Sequence, residues 1–410
     1  MAKIRGFRGL RPGGNLAEKI AALPYDVVSF DEVVEIAKDN PYSFFHISRA
    51  EIDFPEGTDP YSKVVYEKGR DTLESFIEKK YFIMDEEPCL YLYSQVMNGR
   101  MQTGIVACSS IDDYMNDIIK KHEFTREDKE LDRTTHLNIV NANTGPVFLI
   151  HRESQEKKEL VAKGMEVEPV YDFVADDGIR HIVRIIKDRN LIDAIVESFQ
   201  KDVLYIADGH HRAASAVRVG KMRREKNPAY TGEEEFNSFL SVIFPEDELR
   251  ILAYNRLVKD LNGMDKNSFI AALEIAKFSV KKDGKKEPDR VNRFSMYLDN
   301  EWYTLAPEFA VSSDPLEALD VSILQNNILS PILGIDDPRT DNRIEFVGGI
   351  RGTKELEKLV NAGEFAVAFS MRPTDVAQLI EVSNSGQMMP PKSTWFEPKL
   401  RSGLLVHRLD

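Results

Sequence analysis

Apolar residues along the chain follow two spacings. Runs of strand length recur at Leu90-Tyr91-Leu92-Tyr93, Thr103-Gly104-Ile105-Val106-Ala107, Pro146-Val147-Phe148-Leu149-Ile150, Val203-Leu204-Tyr205-Ile206-Ala207, Arg293 to Leu298 and Phe365 to Ser370. Between them, apolar positions return every three or four residues, which predicts helices over 32–38, 60–79, 112–119, 191–200, 269–277, 353–360 and 376–380. Punctuation supports several of these. Ser29 or Asp31 is placed to cap the helix over 32–38, and Asn40-Pro41 ends it because a residue before proline avoids the α region. Asp59 and Pro60 suit the cap and first turn of the helix over 60–79, with Val64, Val65, Leu73 and Phe76 towards its buried side. Met97-Asn98-Gly99-Arg100 reads as a tight hairpin turn. Gly363 closes the helix over 353–360, and Thr374 caps the last one. The 390–399 stretch is ordered in pattern but not helical.

The alternation predicts a mixed α/β (α+β) fold. With 410 residues the chain exceeds what one hydrophobic core usually supports. Three segments are expected: an N-terminal α/β domain over 1–110, a central domain over 111–255, and a C-terminal α/β domain over 256–410. Breaks are expected at 260–266, 281–289 and 384–388.

Composition narrows the function classes. An apolar fraction of 42% and a charged fraction of 30% are those of an ordinary globular protein. The net charge of -14 carries no basic block, so an extended nucleic-acid surface or anionic-membrane patch is not expected. No window approaches the roughly 18 consecutive apolar residues of a membrane span, and the first residues lack the apolar stretch of a secretory signal. A cytoplasmic setting is therefore the expectation. Cys89 and Cys108 are the only cysteines, so reduced thiols are expected rather than a disulfide framework. No CxxC, HExxH or His/Cys cluster has zinc-site spacing, which disfavours a dedicated transition-metal site.

The densest chemistry is Asp208-Gly209-His210-His211-Arg212, directly after an apolar strand and opening a helix of small residues, Ala213 to Val217. Backbone N–H groups at a helix start are unpaired and can receive an anion. Gly209 allows a sharp turn and close approach, and Arg212 offers a planar fork of donors. His210 and His211 can donate to oxygens or move protons near neutral pH. Asp208, itself an anion, suits Mg²⁺ or a hydroxyl rather than phosphate. Capping by Asp208 and a turn at Gly209 are the simpler alternative, but they leave the other three residues unexplained.

Two further segments carry candidates. Lys121-His122-Glu123-Phe124-Thr125-Arg126, with Asp128, Asp132 and Arg133 behind it, is rich in acid-base groups; Glu123 is the candidate proton acceptor, unless the segment is simply a solvated, self-paired face. Lys392-Ser393-Thr394-Trp395-Phe396 and Lys399-Leu400-Arg401-Ser402-Gly403 combine cations with aromatic groups able to close together over a nucleotide, although Trp395 and Phe396 also suit an ordinary core. Residues 138–146 offer amides and a hydroxyl, and a turn is the preferred reading.

Asp208-Gly209-His210-His211-Arg212 after an apolar strand resembles the DGHHR loop of free-serine kinases in the ParB/sulfiredoxin superfamily. The wider chain resembles a large, mostly uncharacterised family near that superfamily, through Pro24-Tyr25-Asp26-Val27, Lys121 to Thr125, Asp132-Arg133, Ala207 to Arg212 and Pro391 to Phe396. The resemblance implies a ParB/sulfiredoxin-like core with additional α/β domains, and makes Gly209, His210, His211 and Arg212 phosphate ligands, with Asp208 on a hydroxyl or metal. The serine kinases also use a catalytic glutamate, but on a helix much nearer their loop, so Glu123 is assigned on local chemistry alone. His210 stands where sulfiredoxin has cysteine, and the basic helix-turn-helix of partitioning proteins is missing, which speaks against sulfur repair and specific DNA binding.

The combined expectation is a small-molecule kinase that moves a phosphoryl group from ATP, ADP or pyrophosphate, with Mg²⁺, to a hydroxyl such as that of free L-serine. Its catalytic set is Glu123, Asp208, His210 and His211; its phosphate set is Gly209, His210, His211, Arg212, Lys392 and Ser393; its metal ligand is Asp208. A non-catalytic nucleotide-binding regulator and a phosphate-ester or nucleotide hydrolase are the alternatives.

Overall fold

The computed structural model describes residues 2–410; Met1, the first residue of the expected N-terminal segment, lies outside them. The fold is mixed α/β, as the alternating pattern predicts. Two compact units form: the described residues up to Leu249 together with Pro398–Asp410, and Arg250–Glu397.

The first unit is built on one nine-stranded sheet. Its strands are β1 (Ile4–Arg5), β2 (Leu90–Met97), β3 (Arg100–Ser110), β4 (Ile119–Lys120), β5 (Val147–His151), β6 (Tyr171–Val174), β7 (Arg180–Ile186), β8 (Leu204–Asp208) and β9 (Ser238–Pro245). They run in the order β4-β8-β5-β9-β3-β2-β7-β6, with β1 also on β3. β4 with β8 and β5 with β9 are parallel; all other neighbours are antiparallel. The β2–β3 hairpin turns on Asn98 and Gly99, both at positive φ (52° and 76°), as the Asn-Gly pair predicts.

One sheet thus takes strands from both sides of the boundary expected near residue 110. The reason lies in β3, which is buried along most of its length and has β2 on one edge and β9 on the other. The junction expected at 255 falls instead before β-strand Tyr254–Val258, which pairs within the second unit.

Helices α1 (Lys63–Glu78), α2 (Glu127–Val140), α3 (Gln155–Met165), α4 (Arg189–Ser198) and α5 (His210–Lys226) flank the sheet's connections. Leu149, Leu204, Ile206 and Ile243 from strands meet Ile192, Ile195, Ala213 and Val217 from helices in one core. The small residues of α5 allow close packing, as expected. A Cβ on Gly220 would stand 2.4 Å from the Ile111 side chain and 2.7 Å from the Phe236 carbonyl oxygen, so that helix face has no room for more.

Several boundaries differ from the pattern-based ones. α1 starts three residues after Pro60, because the Asp59 carboxylate accepts the Tyr61 N–H at 2.9 Å and folds the chain into a separate turn. Val64 faces outward, since Val65 and Leu73 define the buried stripe and a neighbouring position points about 100° away. The stretch expected as one helix over 112–119 is helical only over Ile111–Met115, after which Ile119–Lys120 becomes β4. Residues 138–146 are not simply a turn: α2 runs to Val140, Asn141 takes the left-handed region (φ 59°), and Ala142–Asn143 is extended. The strands of 171–186 and helix α3 have no counterpart in the expected elements.

The second unit holds a six-stranded, wholly antiparallel sheet of β10 (Tyr254–Val258), β11 (Phe278–Lys282), β12 (Phe294–Leu298), β13 (Glu301–Pro307), β14 (Ile344–Gly348) and β15 (Val367–Ser370), in the order β11-β13-β12-β15-β10-β14. Leu257, Tyr297, Trp302, Leu356 and Phe365 are in its core. Its last helix, Val376–Asn384, is capped by Asp375 in a capping box with Gln378, while the Thr374 hydroxyl donates instead to the Ser393 carbonyl. Among the described residues, no helix is long and apolar enough to cross a membrane. Both cysteines are buried free thiols.

Candidate active site at the 208–212 loop

β8 ends with a register shift between Ile206 and Asp208 against β5, and the chain passes through Gly209 at φ 92° into α5. Only glycine takes that conformation without strain. No side chain caps α5. The backbone N–H groups of its first turn therefore keep the anion-receiving character expected of this loop.

The parallel pairing of β4 with β8 places the 121–126 segment at the same end of the sheet as the loop. Glu123 and His210, 87 positions apart in the sequence, meet: Glu123 Oε2 is 3.7 Å from His210 Nδ1. The glutamate side chain is 44% exposed, whereas that of His210 is 4% exposed. His122 lies edge-on to His210, with ring centroids 4.6 Å apart and planes at 89°. Burial pushes the His122 imidazole down to about 4, against the opposing pull of the Ile206 backbone and Asp208. Burial, then the neighbouring His122 ring, holds His210 well below the usual histidine range. Burial thus favours the uncharged form of both rings.

The remaining loop residues are held more tightly than the sequence suggests. Asp208 accepts from Arg212 Nη2 at 2.9 Å and has Lys399 Nζ at 3.9 Å. Burial alone would raise the carboxyl, but Lys399 and Arg212 hold it down to about 2. The Asp208 oxygens thus face two cations, in an ion pair at the position where a Mg²⁺ ligand is expected from the sequence. Arg212 Nη1 donates to the Pro146 carbonyl, so its fork is largely spent inside the protein. His211 Nε2 accepts the backbone N–H of Arg126 at 3.0 Å and so ties the loop to the residue that precedes α2. That bond leaves the ring proton on Nδ1.

Lys392 and Ser393 belong to the second unit. The Lys392 carbonyl accepts from Arg256 Nη2, its ammonium lies 5.5 Å from the Tyr254 ring centroid, and the buried Ser393 hydroxyl donates to the Pro390 carbonyl. The cation that does reach the loop from the chain's end is Lys399, on the segment that returns to the first unit.

Behind Arg212 opens a cavity of about 40 Å³ of mixed lining, to which Tyr25, Arg133, Arg212, Ser402, Val147 and Phe239 contribute. A single water needs roughly 10–15 Å³ on this scale, so the cavity has room for a few waters or a small polar group. Arg133 stacks over the Tyr25 ring at 4.0 Å and pairs with Asp132 at 2.8 Å. The Tyr25 and Asp132-Arg133 motifs, scattered in sequence, therefore surround the loop in space. No periodicity signals that convergence.

A mixed sheet whose strand end opens through a left-handed glycine into an uncapped helix, with a glutamate beside the helix start, defines a candidate anion-handling site in an α/β protein. The chain belongs to the family described as protein of unknown function (DUF1015), whose model matches residues 4–322. No curated protein matches the sequence. Among solved structures, a free serine kinase in complex with AMP is 14% identical, covers 73% of this chain and 92% of its own, and has a TM-score of 0.36. A conserved hypothetical protein from Pyrococcus furiosus is 14% identical, with coverage of 73% and 95% and a TM-score of 0.34. SbnI with a C-terminal truncation, from Staphylococcus aureus, is 10% identical, with coverage of 73% and 86% and a TM-score of 0.39. These are weak likenesses, and the chemistry of this chain rests on its own site.

Proposed function

We propose that the protein is a cytoplasmic small-molecule kinase, transferring a phosphoryl group from ATP, ADP or pyrophosphate to a hydroxyl such as that of free L-serine. The observation that carries the reading is the meeting of Glu123 with the start of α5, where a carboxylate stands next to a helix terminus ready for an anion. Phosphoryl transfer needs positioning and charge neutralisation more than covalent chemistry. In this reading the N–H groups from Gly209 onward receive donor phosphate, and the neutral His210 and His211 rings orient its oxygens. Glu123 accepts the proton of the attacking hydroxyl.

Asp208 then acts as a positioning residue. It holds Arg212 and Lys399 in place at the loop, where the Lys399 ammonium supplies positive charge for a phosphate oxygen. Mg²⁺ finds no ligand of its own in this arrangement, and no step is assigned to it.

The test incubates the purified chain with each donor and a panel of hydroxylated metabolites, with and without Mg²⁺, and identifies products by mass spectrometry. Phosphorylated acceptor supports the kinase. Donor binding without product supports the nucleotide-binding regulator, and free phosphate independent of acceptor supports the hydrolase.

A further inference from the structure

Two imidazoles and a carboxylate from distant parts of the chain converge beside the loop. One ligand atom each from His122, Glu123 and His210 lies within 4.8 Å of the other two. The two histidines are almost wholly enclosed, at 1% and 4% exposure. Neither ring nitrogen of His122 makes a hydrogen bond of normal geometry, and neither does Nε2 of His210. Buried polar groups are nearly always satisfied, and each one left without a partner costs about 1–3 kcal/mol. Three nitrogens without a well-formed hydrogen bond in two touching rings leave room for an occupant.

Water can hydrogen-bond the same groups, so the donor set decides between water and an ion. Two neutral nitrogen donors and one anionic oxygen are the donor set of a divalent transition ion, whereas Mg²⁺ and Ca²⁺ prefer oxygen throughout. Bonds of about 2.0–2.2 Å in a tetrahedral site set ligand atoms roughly 3.3–3.5 Å apart. The separations, all within 4.8 Å, thus have to close by at most a little over about 1 Å. Glu123 can supply much of that movement, since its side chain is 44% exposed on the segment between β4 and α2. Three protein ligands leave a fourth position open on the glutamate's exposed side, as at catalytic zinc sites.

We propose that His122, Glu123 and His210 bind one divalent transition ion, of which Zn²⁺ is the simplest example. Motif spacing gives no sign of such a site, because His210 is 87 positions from Glu123. Ligation through one carboxylate oxygen leaves the other for the proton-accepting role proposed above. Binding is measured without turnover, so its outcome is separate from that of the kinase reading.

The experiment strips the full chain with a chelator and titrates it with Zn²⁺ by calorimetry, following Co²⁺ in parallel by its visible absorption. One equivalent of ion is expected to bind, with a Co²⁺ spectrum of low coordination number. Glu123→Gln, at a half-exposed position, is expected to weaken binding at least tenfold while keeping the parent's thermal melt. His46→Gln, in a histidine paired with Asp53 elsewhere, serves as the control and is expected to bind like the parent. The proposal is overturned if the parent protein takes up no stoichiometric ion, or if Glu123→Gln binds as tightly as the parent.

Discussion

At the scale of single residues, the side chains that looked most available in the sequence are the most engaged. Arg212 pairs with Asp208 and the Pro146 carbonyl, and His211 accepts the Arg126 N–H, so replacing either disturbs the fold around the loop as well as any ligand. Glu123 and Lys399 are cleaner probes. Lys399→Met keeps the aliphatic stem and leaves Asp208 its Arg212 partner; it is expected to weaken donor binding about tenfold with little change in melting temperature, as read by calorimetry and thermal denaturation. Unchanged donor affinity would remove Lys399 from the site. In the sequence Lys399 reads as part of a cationic and aromatic tail able to close over a nucleotide, but its pairing with Asp208 is not legible there, because nothing local shows that the chain's last segment returns to the first unit.

At the scale of elements, the strand, glycine and helix of 204–226 were legible because each leaves a local mark: an apolar run, a Gly, then a row of small residues. The conformation of Gly209 gives a sharp prediction. A Cβ there would sit at φ 92° and 3.0 Å from Arg212 Cζ and Nε, atoms held by two hydrogen-bonded neighbours. Gly209→Ala is expected to cost about 1–2 kcal/mol in chemical denaturation, the usual penalty for a side chain in the left-handed region. A neutral effect would mean that the loop relaxes freely and is not built for close approach. The helix over 112–119 was misjudged for a related reason. Ile118 and Ile119 continue an apolar pattern that suits either period, and only pairing with Leu204 and Tyr205 turns that stretch into β4.

At the scale of the whole molecule, mixed α/β character followed from the alternation of periods, whereas the partition of the chain did not. Strand pairing between Ser238 and Ser110, or between Ser241 and Val147, is a long-range fact with no local signature. Burial on this scale also sets how the protein responds to acid. His136 and His151 are held down to about 4, and His181 to about 3, chiefly by burial. In the unfolded chain these rings titrate near 6.5, so below that pH the unfolded state binds more protons and stability falls until the folded rings themselves protonate. Thermal melts should show little change from pH 8 to 7 and a progressive fall from about 6.5 towards 4, with up to about 1.4 kcal/mol lost per pH unit for each ring. A melting temperature that holds level from pH 7 to 5 would show that these histidines are not buried as neutral groups.

The central claim is that Glu123 takes a proton from a hydroxyl while the start of α5 holds the donor phosphate. Its most direct test compares the parent protein with Glu123→Gln, using the best donor and acceptor found, and measures both donor affinity and the rate of phosphorylated product. The account predicts donor affinity within about threefold of the parent and a rate lower by about 10²–10⁴-fold. Product formed at the parental rate by Glu123→Gln, or no product from the parent with any donor, would contradict it.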